Sequence, residues 1–203
     1  MESPRREPSD EEFMLAYRDG DEEAFVFLFK RYNVRIFNYF LRHLGDRAKA
    51  EDLLQDTFLK LHRQRKSYQP LAAFSTYIFT IASNLLRDAR VSAMRHANVI
   101  ELEGVSERVA MGTGSSEPVH VQTGKSTEDE YVEREIGHYL RQAIHSLPCD
   151  QREVILLAKY EGFKYKEIAE IVNITVSAAK VRVHRAMIAL EQILKSRFGN
   201  SLG

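Results

Sequence analysis

The chain has 203 residues, 44% hydrophobic and 29% charged, with 29 basic and 29 acidic side chains. This composition excludes a disordered chain and is typical of a globular protein with packed cores. No apolar run reaches membrane-spanning length, and the first residues lack the apolar segment of a signal peptide. The single cysteine, Cys149, excludes an internal disulfide and a cysteine-rich zinc site. We therefore expect a cytoplasmic protein without membrane insertion.

The zero net charge conceals a strong alternation along the chain. Residues 10–58 carry seven basic and eleven acidic side chains, and residues 59–98 carry seven basic side chains against only Asp88. Residues 99–135 then carry three basic and nine acidic side chains, and residues 136–203 carry ten basic and six acidic ones. Two basic blocks separated by an acidic one indicate two polyanion-binding surfaces on one chain.

Capping signals divide the first half of the chain into four predicted helices. Ser9 followed by Glu12 is a capping-box pattern, Asp21 and Asp46 are N-cap residues, and Gly45 is a C-cap residue. The first predicted helix ends near Tyr17. The other three run from Asp21 to Gly45, from Asp46 to about Arg63 and from Phe74 to about Arg95. No segment alternates with period two, so we expect no sheet and an all-α fold.

Helical periodicity fades after the fourth helix and resumes near Tyr131. The intervening stretch concentrates Gly, Ser, Thr and acidic residues, as flexible linkers do. Pro148 suits the first turn of a further helix that ends near Gly162. The sequence thus predicts two small helical domains, residues 9–96 and 131–197, joined by a flexible acidic linker over residues 97–130.

The stretch from Tyr165 to Leu190 predicts a helix-turn-helix. Turn and capping residues from Asn173 to Thr175 interrupt two runs with helical spacing. Apolar residues form one stripe on the second helix, namely Ala179, Val183, Ala186 and Leu190, and the opposite face is polar or cationic. Such a face could donate to phosphates and base edges in a major groove, although an ordinary amphipathic hairpin has the same pattern.

No catalytic constellation is present in the sequence. The histidines do not occur at metal-ligand spacing, and Gly112 and Gly114 lie in the polar linker without the strand and helix of a phosphate-binding loop. Asp52 and Asp56 are one helical turn apart, but paired acids on a helix are usually solvated. We therefore predict a protein that is not an enzyme, with no catalytic residue, no metal and no cofactor.

Three segments together resemble one family, the extracytoplasmic-function group of sigma factors. They are AEDLLQDTFLKLHR (Ala50 to Arg63), FSTYIFTIASNLLRDARV (Phe74 to Val91) and the stretch from Leu147 to Met187. Their order and spacing are similar to those of the family. The resemblance implies a sigma region 2-like bundle and a sigma region 4-like helix-turn-helix domain. It also implies a factor that binds core RNA polymerase, recognises the −10 and −35 promoter elements and promotes DNA melting.

The resemblance also implies partners and site residues. The partners are promoter DNA, core RNA polymerase through its β′ clamp helices and β flap, and an anti-sigma factor; the free protein is expected to be a monomer. The implied polymerase-binding residues are Asp52, Gln55, Asp56 and Leu59. The implied −10 contacts are Tyr68, Asn84, Arg87 and Arg90. The implied −35 contacts are Lys180, Val181, Arg182, His184 and Arg185.

This sequence departs from the family pattern at particular positions. Tyr77 stands where many relatives have Trp, and Ser83 where many have Arg. Val181 stands where Ser is frequent, and it could pack on a thymine methyl but not hydrogen-bond a base. Two alternatives remain at this point: a free-standing helix-turn-helix regulator, and a polymerase-binding decoy that does not start transcription.

Overall fold

The computed structural model describes residues 7–102 and 127–198, which form helices and contain no strand. The helices are α1 (Asp10–Arg18), α2 (Glu22–Leu44), α3 (Arg47–Gln64), α4 (Phe74–Leu102), α5 (Thr127–Ser146), α6 (Cys149–Lys159), α7 (Tyr165–Val172) and α8 (Val176–Phe198). A 3-10 turn, Arg65–Ser67, follows α3. The all-α prediction is confirmed for this part of the chain.

The predicted capping residues begin and end the first helices. The Glu12 N–H donates to the Ser9 hydroxyl and the Ser9 N–H donates to the Glu12 carboxylate, which completes the capping box of α1. Asp21 and Asp46 cap α2 and α3 by accepting from backbone N–H groups. Gly45 ends α2 at φ 66°, a left-handed conformation that glycine adopts without strain.

Helices α1–α4 form the first domain around an aromatic core. Tyr32 of α2 meets Phe74 of α4 edge-on, and Tyr39 meets Phe79 in the same way, with ring centroids 5.2 and 5.5 Å apart. Edge-to-face pairs of this kind are favoured over a face-to-face sandwich of the rings. The core thereby fixes α4 against α2 and determines which face of α4 points away from the domain.

Helices α5–α8 form the second domain, which includes the helix-turn-helix. The predicted apolar stripe of α8 is buried, and so are Ile168, Ile171 and Val172 of α7. Asn173 ends α7 at φ 55°, in the left-handed region that Asn tolerates. The Thr175 hydroxyl accepts from the Ala178 N–H at 3.1 Å and caps α8. The helix-turn-helix prediction is confirmed.

Two boundaries differ from the sequence-based prediction. Helix α4 continues to Leu102 and α5 begins at Thr127, so helices cover both ends of the linker predicted for residues 97–130. The rest of that predicted linker, residues 103–126, lies outside the described residues. Pro148 precedes α6 as its N-cap instead of lying in the first turn. Boundary shifts of this size arise because end residues have weak conformational preferences.

The two domains are in direct contact. Helix α4 of the first domain packs along α7 of the second, and the C-terminal part of α2 lies against α5 and α6. The domains also lie close together at Gly45, where an added Cβ atom would come within 3.1 Å of the His145 imidazole. The sequence predicted domains joined by a tether, and it gave no sign of this packing.

Candidate nucleic-acid interface

The outer face of α8 is exposed and carries most of the predicted −35 residues. Lys180, Val181, His184 and Arg185 are exposed on the side opposite the buried stripe. Arg182 lies at the edge of this face and forms a long ion pair with Asp150 of α6, at 3.8 Å. Cationic and imidazole groups on the second helix of a helix-turn-helix can donate to phosphates and base edges.

The exposed face of α3 has the opposite character. Asp52, Gln55, Asp56 and Leu59 share one face because they recur at three- and four-residue spacing, and all are exposed. The Leu59 side chain is 50% exposed. Acids, an amide and an apolar side chain together form a surface suited to a cationic partner protein.

Phe29 of α2 lies beside this α3 face. It is 37% exposed, and its ring centroid is 4.8 Å from that of Phe58. This apolar addition to the α3 face was not predicted.

Tyr68 lies in the core and not at a surface. It is 3% exposed, its ring contacts Phe74 and Tyr77, and burial raises the pKa of its phenol to about 12. As placed, this ring cannot stack on a DNA base, in contrast to the predicted −10 contact. The physical reason is that Tyr68 and Phe74 anchor the two ends of the loop before α4.

The loop between these anchors is exposed and held in place. The Phe74 N–H donates to the Glu11 carboxylate of α1 at 2.6 Å, and the Leu71 N–H donates to the Gln69 carbonyl at 2.9 Å. Burial acts to raise the Glu11 pKa, but the hydrogen bonds to its carboxylate, of which the bond from the Phe74 N–H is the strongest, together lower it. Leu71 is 87% exposed at the tip. The loop therefore presents its tip, and not its tyrosine, to solvent.

The other predicted −10 residues lie on α4 near the second domain. The Asn84 side-chain oxygen accepts from the Arg87 guanidinium at 3.3 Å. Arg87 also donates to the Val172 carbonyl at the end of α7, at 3.4 Å. Arg87, Arg90 and Val91 line one wall of a cleft whose other wall belongs to α6, the α7–α8 turn and α8. Sequence reasoning did not predict that the other domain borders these residues.

Three charged residues of the second domain that sequence reasoning missed contact the first domain. Glu153 is buried and accepts from the Ser83 hydroxyl at 2.5 Å. Glu161 lies 3.2 Å from Arg35 and 3.7 Å from Arg42. Arg152 donates to the His43 carbonyl at 2.8 Å. The one available signal was Glu153 directly before the apolar run of α6, where a solvated acid is out of place.

Burial at this contact shifts several pKa values. Burial lowers the pKa of His43 to about 3, with further lowering from the nearby cations Arg152 and Arg90. Burial raises the pKa of Glu161, although Arg35 and Arg42 act in the opposite direction. These shifts follow from the removal of both side chains from water at the contact between the domains.

The described residues contain no cluster of three or more His, Cys, Asp or Glu side chains that could hold a metal ion. No helix in the described part of the chain has the length and apolar character needed to cross a bilayer. The geometry therefore offers an exposed cationic recognition helix, an acidic and apolar face on α3, and a cationic face on α4. This combination defines a helical DNA-binding protein that also has a protein-binding surface.

Comparison with known proteins assigns the family. Residues 28–96 match the family described as Sigma-70 region 2, and residues 137–190 match Sigma-70 region 4. The chain is 33% identical over 181 residues to RNA polymerase sigma factor CarQ of Myxococcus xanthus, covering 89% of this chain and 95% of that protein. It is 30% identical to ECF RNA polymerase sigma factor SigW of Bacillus subtilis, with 88% and 92% covered. The chain belongs to the extracytoplasmic-function group of the sigma-70 family.

Solved structures agree with this assignment. The sigma factor RpoE of Bartonella quintana, in complex with the anti-sigma factor NepR, superposes with a TM-score of 0.61 at 26% identity, covering 84% of this chain and 96% of that one. CnrH, in complex with the cytosolic domain of CnrY, superposes with a TM-score of 0.64 at 20% identity, covering 93% and 99%. The likeness to CnrH bears on the fold alone.

Proposed function

We propose that this chain is a cytoplasmic sigma factor that binds core RNA polymerase, recognises −10 and −35 promoter elements and promotes melting of the DNA. The observation that carries the proposal is the pairing, on one chain, of a region 2 domain and a region 4 domain, with the outer faces of α3 and α8 exposed. The chain makes and breaks no bond in a substrate. It acts by binding and positioning.

Core polymerase would be bound through the α3 face. Asp52, Gln55 and Asp56 offer carboxylates and an amide to the cationic β′ clamp helices, and Leu59 adds apolar contact. Complementary charge speeds association and fixes orientation more than it adds affinity. The second domain would bind the β flap, which places the two domains at separate points on the polymerase.

The −35 element would be read by α8. Lys180 and Arg185 are the residues whose donors suit guanine, while Arg182 and His184 suit phosphates at the edge of the groove. Val181 offers only an apolar contact, which fits a thymine methyl. A bidentate contact of Arg185 to guanine would contribute about 1–3 kcal/mol of sequence discrimination.

The −10 element would be opened and held by α4 and the loop before it. Unstacking a base costs a few kcal/mol, so the protein must supply compensating contacts. The Asn84 amide provides a donor and an acceptor, and Arg87 and Arg90 provide cations for the melted strand. Because Tyr68 is buried, its role in this proposal becomes the anchoring of the loop, and the exposed loop tip takes the place next to the base.

The rival functions are not favoured. A free-standing regulator leaves α3 and α4 without a role, although residues 28–96 match region 2. A polymerase-binding decoy leaves the exposed cationic face of α8 without a role. An anti-sigma factor is a further proposed partner, because the RpoE relative was solved with one.

The test is run-off transcription with purified core polymerase and genomic promoter fragments. We expect transcripts that depend on this chain and that vanish for the double variants Asp52→Ala/Asp56→Ala and Lys180→Ala/Arg185→Ala. Matched controls are Glu51→Ala on α3 and Lys195→Ala on α8, whose side chains are exposed and paired within their own helix. Polymerase binding without transcripts would instead indicate a decoy, and no polymerase binding would indicate a free-standing regulator.

A further inference from the structure

The contact between the two domains encloses a buried carboxylate that is well partnered. The Glu161 side chain is 4% exposed, and its two oxygens lie near Arg35 and Arg42 of α2. Arg35 also donates to the Glu161 backbone carbonyl at 3.4 Å. The Arg42 guanidinium in addition lies 4.4 Å from the centre of the Tyr160 ring. A buried carboxylate is strongly disfavoured without such partners. The two arginines therefore stabilise Glu161 in the arrangement in which the two domains are in contact.

A second set of contacts joins α4 and α2 to α6. The Ser83 hydroxyl donates to the Glu153 carboxylate, and both side chains are buried. Arg152 donates to the carbonyls of Ile144 and Leu147 within its own domain and to the carbonyl of His43 across the contact. One guanidinium thus satisfies carbonyls at the ends of helices from both domains.

The same contact covers the cationic face of α4. Arg87 uses a donor on the Val172 carbonyl, and Arg87, Arg90 and Val91 face the second domain across the cleft. The backbone of a DNA strand cannot occupy the space taken by the α7–α8 turn. By contrast, the outer face of α8 remains exposed in the same arrangement.

We propose that these contacts form an interdomain latch, defined as Glu153 on Ser83 and Glu161 on Arg35 and Arg42, which holds the chain closed and hides its −10 face. The proposal rests on the proposed function, because it is the −10 contact that the latch would block. Promoter opening then requires that the second domain leave α4. The latch thereby makes the free chain unable to engage melted DNA until a partner separates the domains.

The physical character of the contact suits a latch that opens. Separation of the domains would expose the rings of Phe79 and Phe163, whose centroids are 5.0 Å apart across the contact. The released carboxylates and guanidinium groups return to water, which solvates them well. Arg35 and Arg42 are already 40% and 34% exposed, so water and salt reach their side of the ion pairs.

A reversible crosslink tests the latch in the full chain. In a Cys149→Ser background, Met94→Cys and Ile174→Cys place thiols on the two walls of the cleft between the domains, at positions outside the latch. A short bis-methanethiosulfonate reagent then joins the thiols, and a reductant removes it. We expect efficient intramolecular crosslinking of the free chain. We expect the crosslinked protein to lose run-off transcription with core polymerase, and the reductant to restore it.

The outcomes separate the latch from the proposed function. Single-cysteine variants treated with the same reagent should keep full run-off activity. A crosslinked protein that transcribes as well as its reduced form would overturn the latch while leaving the sigma-factor function intact. Failure to crosslink in the free chain would overturn the latch as well. A reduced protein that gives no transcript would contradict the proposed function, and the crosslinking yield would still decide whether the chain is closed.

A second pair of variants tests the ion pairs without a reagent. Glu161→Gln removes the charge that Arg35 and Arg42 share, and the matched control Glu170→Gln removes an exposed charge from α7. We expect small-angle X-ray scattering to report a larger radius of gyration for Glu161→Gln and an unchanged one for the control. An unchanged radius of gyration for both variants, with unchanged crosslinking, would contradict a latch held by Glu161.

Discussion

Helices α4 and α8 are both long, and both carry arginines on the face turned away from their own core, yet their surroundings differ. The outer face of α8 is open to solvent, whereas the arginines of α4 border the other domain and one of them bonds to a carbonyl there. Similar charge patterns in the sequence therefore correspond to one accessible surface and one covered surface. Charge patterning indicates that a helix can bind a polyanion, but tertiary contacts decide when it does.

The largest effect on stability is expected at Phe79 of α4, whose ring contacts both domains. Phe79 is fully buried, and it meets Tyr39 of α2 and Phe163 of the second domain edge-on. Phe79→Ala should lower the free energy of unfolding by about 3–5 kcal/mol, because it leaves a cavity in the core. Urea denaturation measures this loss.

The control for Phe79→Ala is Phe27→Ala. Phe27 is 55% exposed and stacks only on Phe13, so its removal should cost far less. Equal losses of unfolding free energy for the two variants would contradict the claim that the packing of Phe79 stabilises the fold more than an exposed ring does.

Duplex binding by the free chain distinguishes the open face of α8 from the covered face of α4. Arg185→Ala should weaken binding to a −35 duplex by about 1–3 kcal/mol, roughly 5- to 150-fold in Kd, since it removes an exposed donor. Arg87→Ala should leave that Kd unchanged, because α4 is covered in the free chain. Fluorescence anisotropy with a labelled duplex measures both. Equal weakening by the two variants would show that the α4 face is already accessible.

Acidification should destabilise the closed chain through His43. Arg152, Arg90 and His145 face the imidazole from α6, α4 and α5, and Tyr39 lies beside it on α2. Burial together with these groups lowers the pKa of His43 to about 3. The unfolded chain takes up this proton near pH 6.5, but the folded chain does not. The stability that the neutral His43 contributes to the folded chain is therefore intact above pH 6.5 and is lost progressively as the pH falls from about 6.5 towards 3.

The magnitude of the His43 effect can be measured by urea denaturation at two pH values. Between pH 7 and pH 5.5 the free energy of unfolding should fall by about 1 kcal/mol because of His43. His145, whose pKa is also lowered by burial, adds to the loss with the same sign. His43→Gln should reduce this pH dependence. A pH dependence in His43→Gln equal to that of the unsubstituted chain would contradict a neutral, buried His43.

Salt should give the smallest effect. The ion pairs of Glu161 are only partly shielded from solvent, so raising the ionic strength from 0.1 to 1 M shortens the screening length from about 10 to about 3 Å and weakens them. The change is expected to be below about 1 kcal/mol. Crosslinking of the Met94→Cys/Ile174→Cys pair should therefore slow at high salt. Faster crosslinking would contradict an electrostatic contribution to closure.

The sequence predicted local structure well because local structure depends on near neighbours. Ser9, Asp21, Asp46 and Gly45 lie at the helix ends where capping chemistry places them. The buried stripe of α8 and the exposed face opposite it follow from a 3.6-residue period. Residues that act within one helix were therefore predictable, and so was the division into two helical domains.

Contacts between distant segments were not predictable from the same signals. Glu153 and Glu161 are 70 and 126 positions from their partners Ser83 and Arg35, so no periodicity links them. The family resemblance implied that Tyr68 contacts the −10 element. It is buried because the loop needs an anchor, which only the packing against Phe74 and Tyr77 shows. The implied contacts with polymerase and promoter remain predictions.

The most direct test of the sigma-factor function is permanganate footprinting of a promoter found by run-off transcription, since permanganate oxidises unpaired thymines. Thymines of the −10 element should react only when both core polymerase and this chain are present. Their reactivity should disappear for Asn84→Ala and persist for the control Ser92→Ala, an exposed position further along α4. A bound complex of polymerase, chain and promoter without reactive thymines would contradict the account.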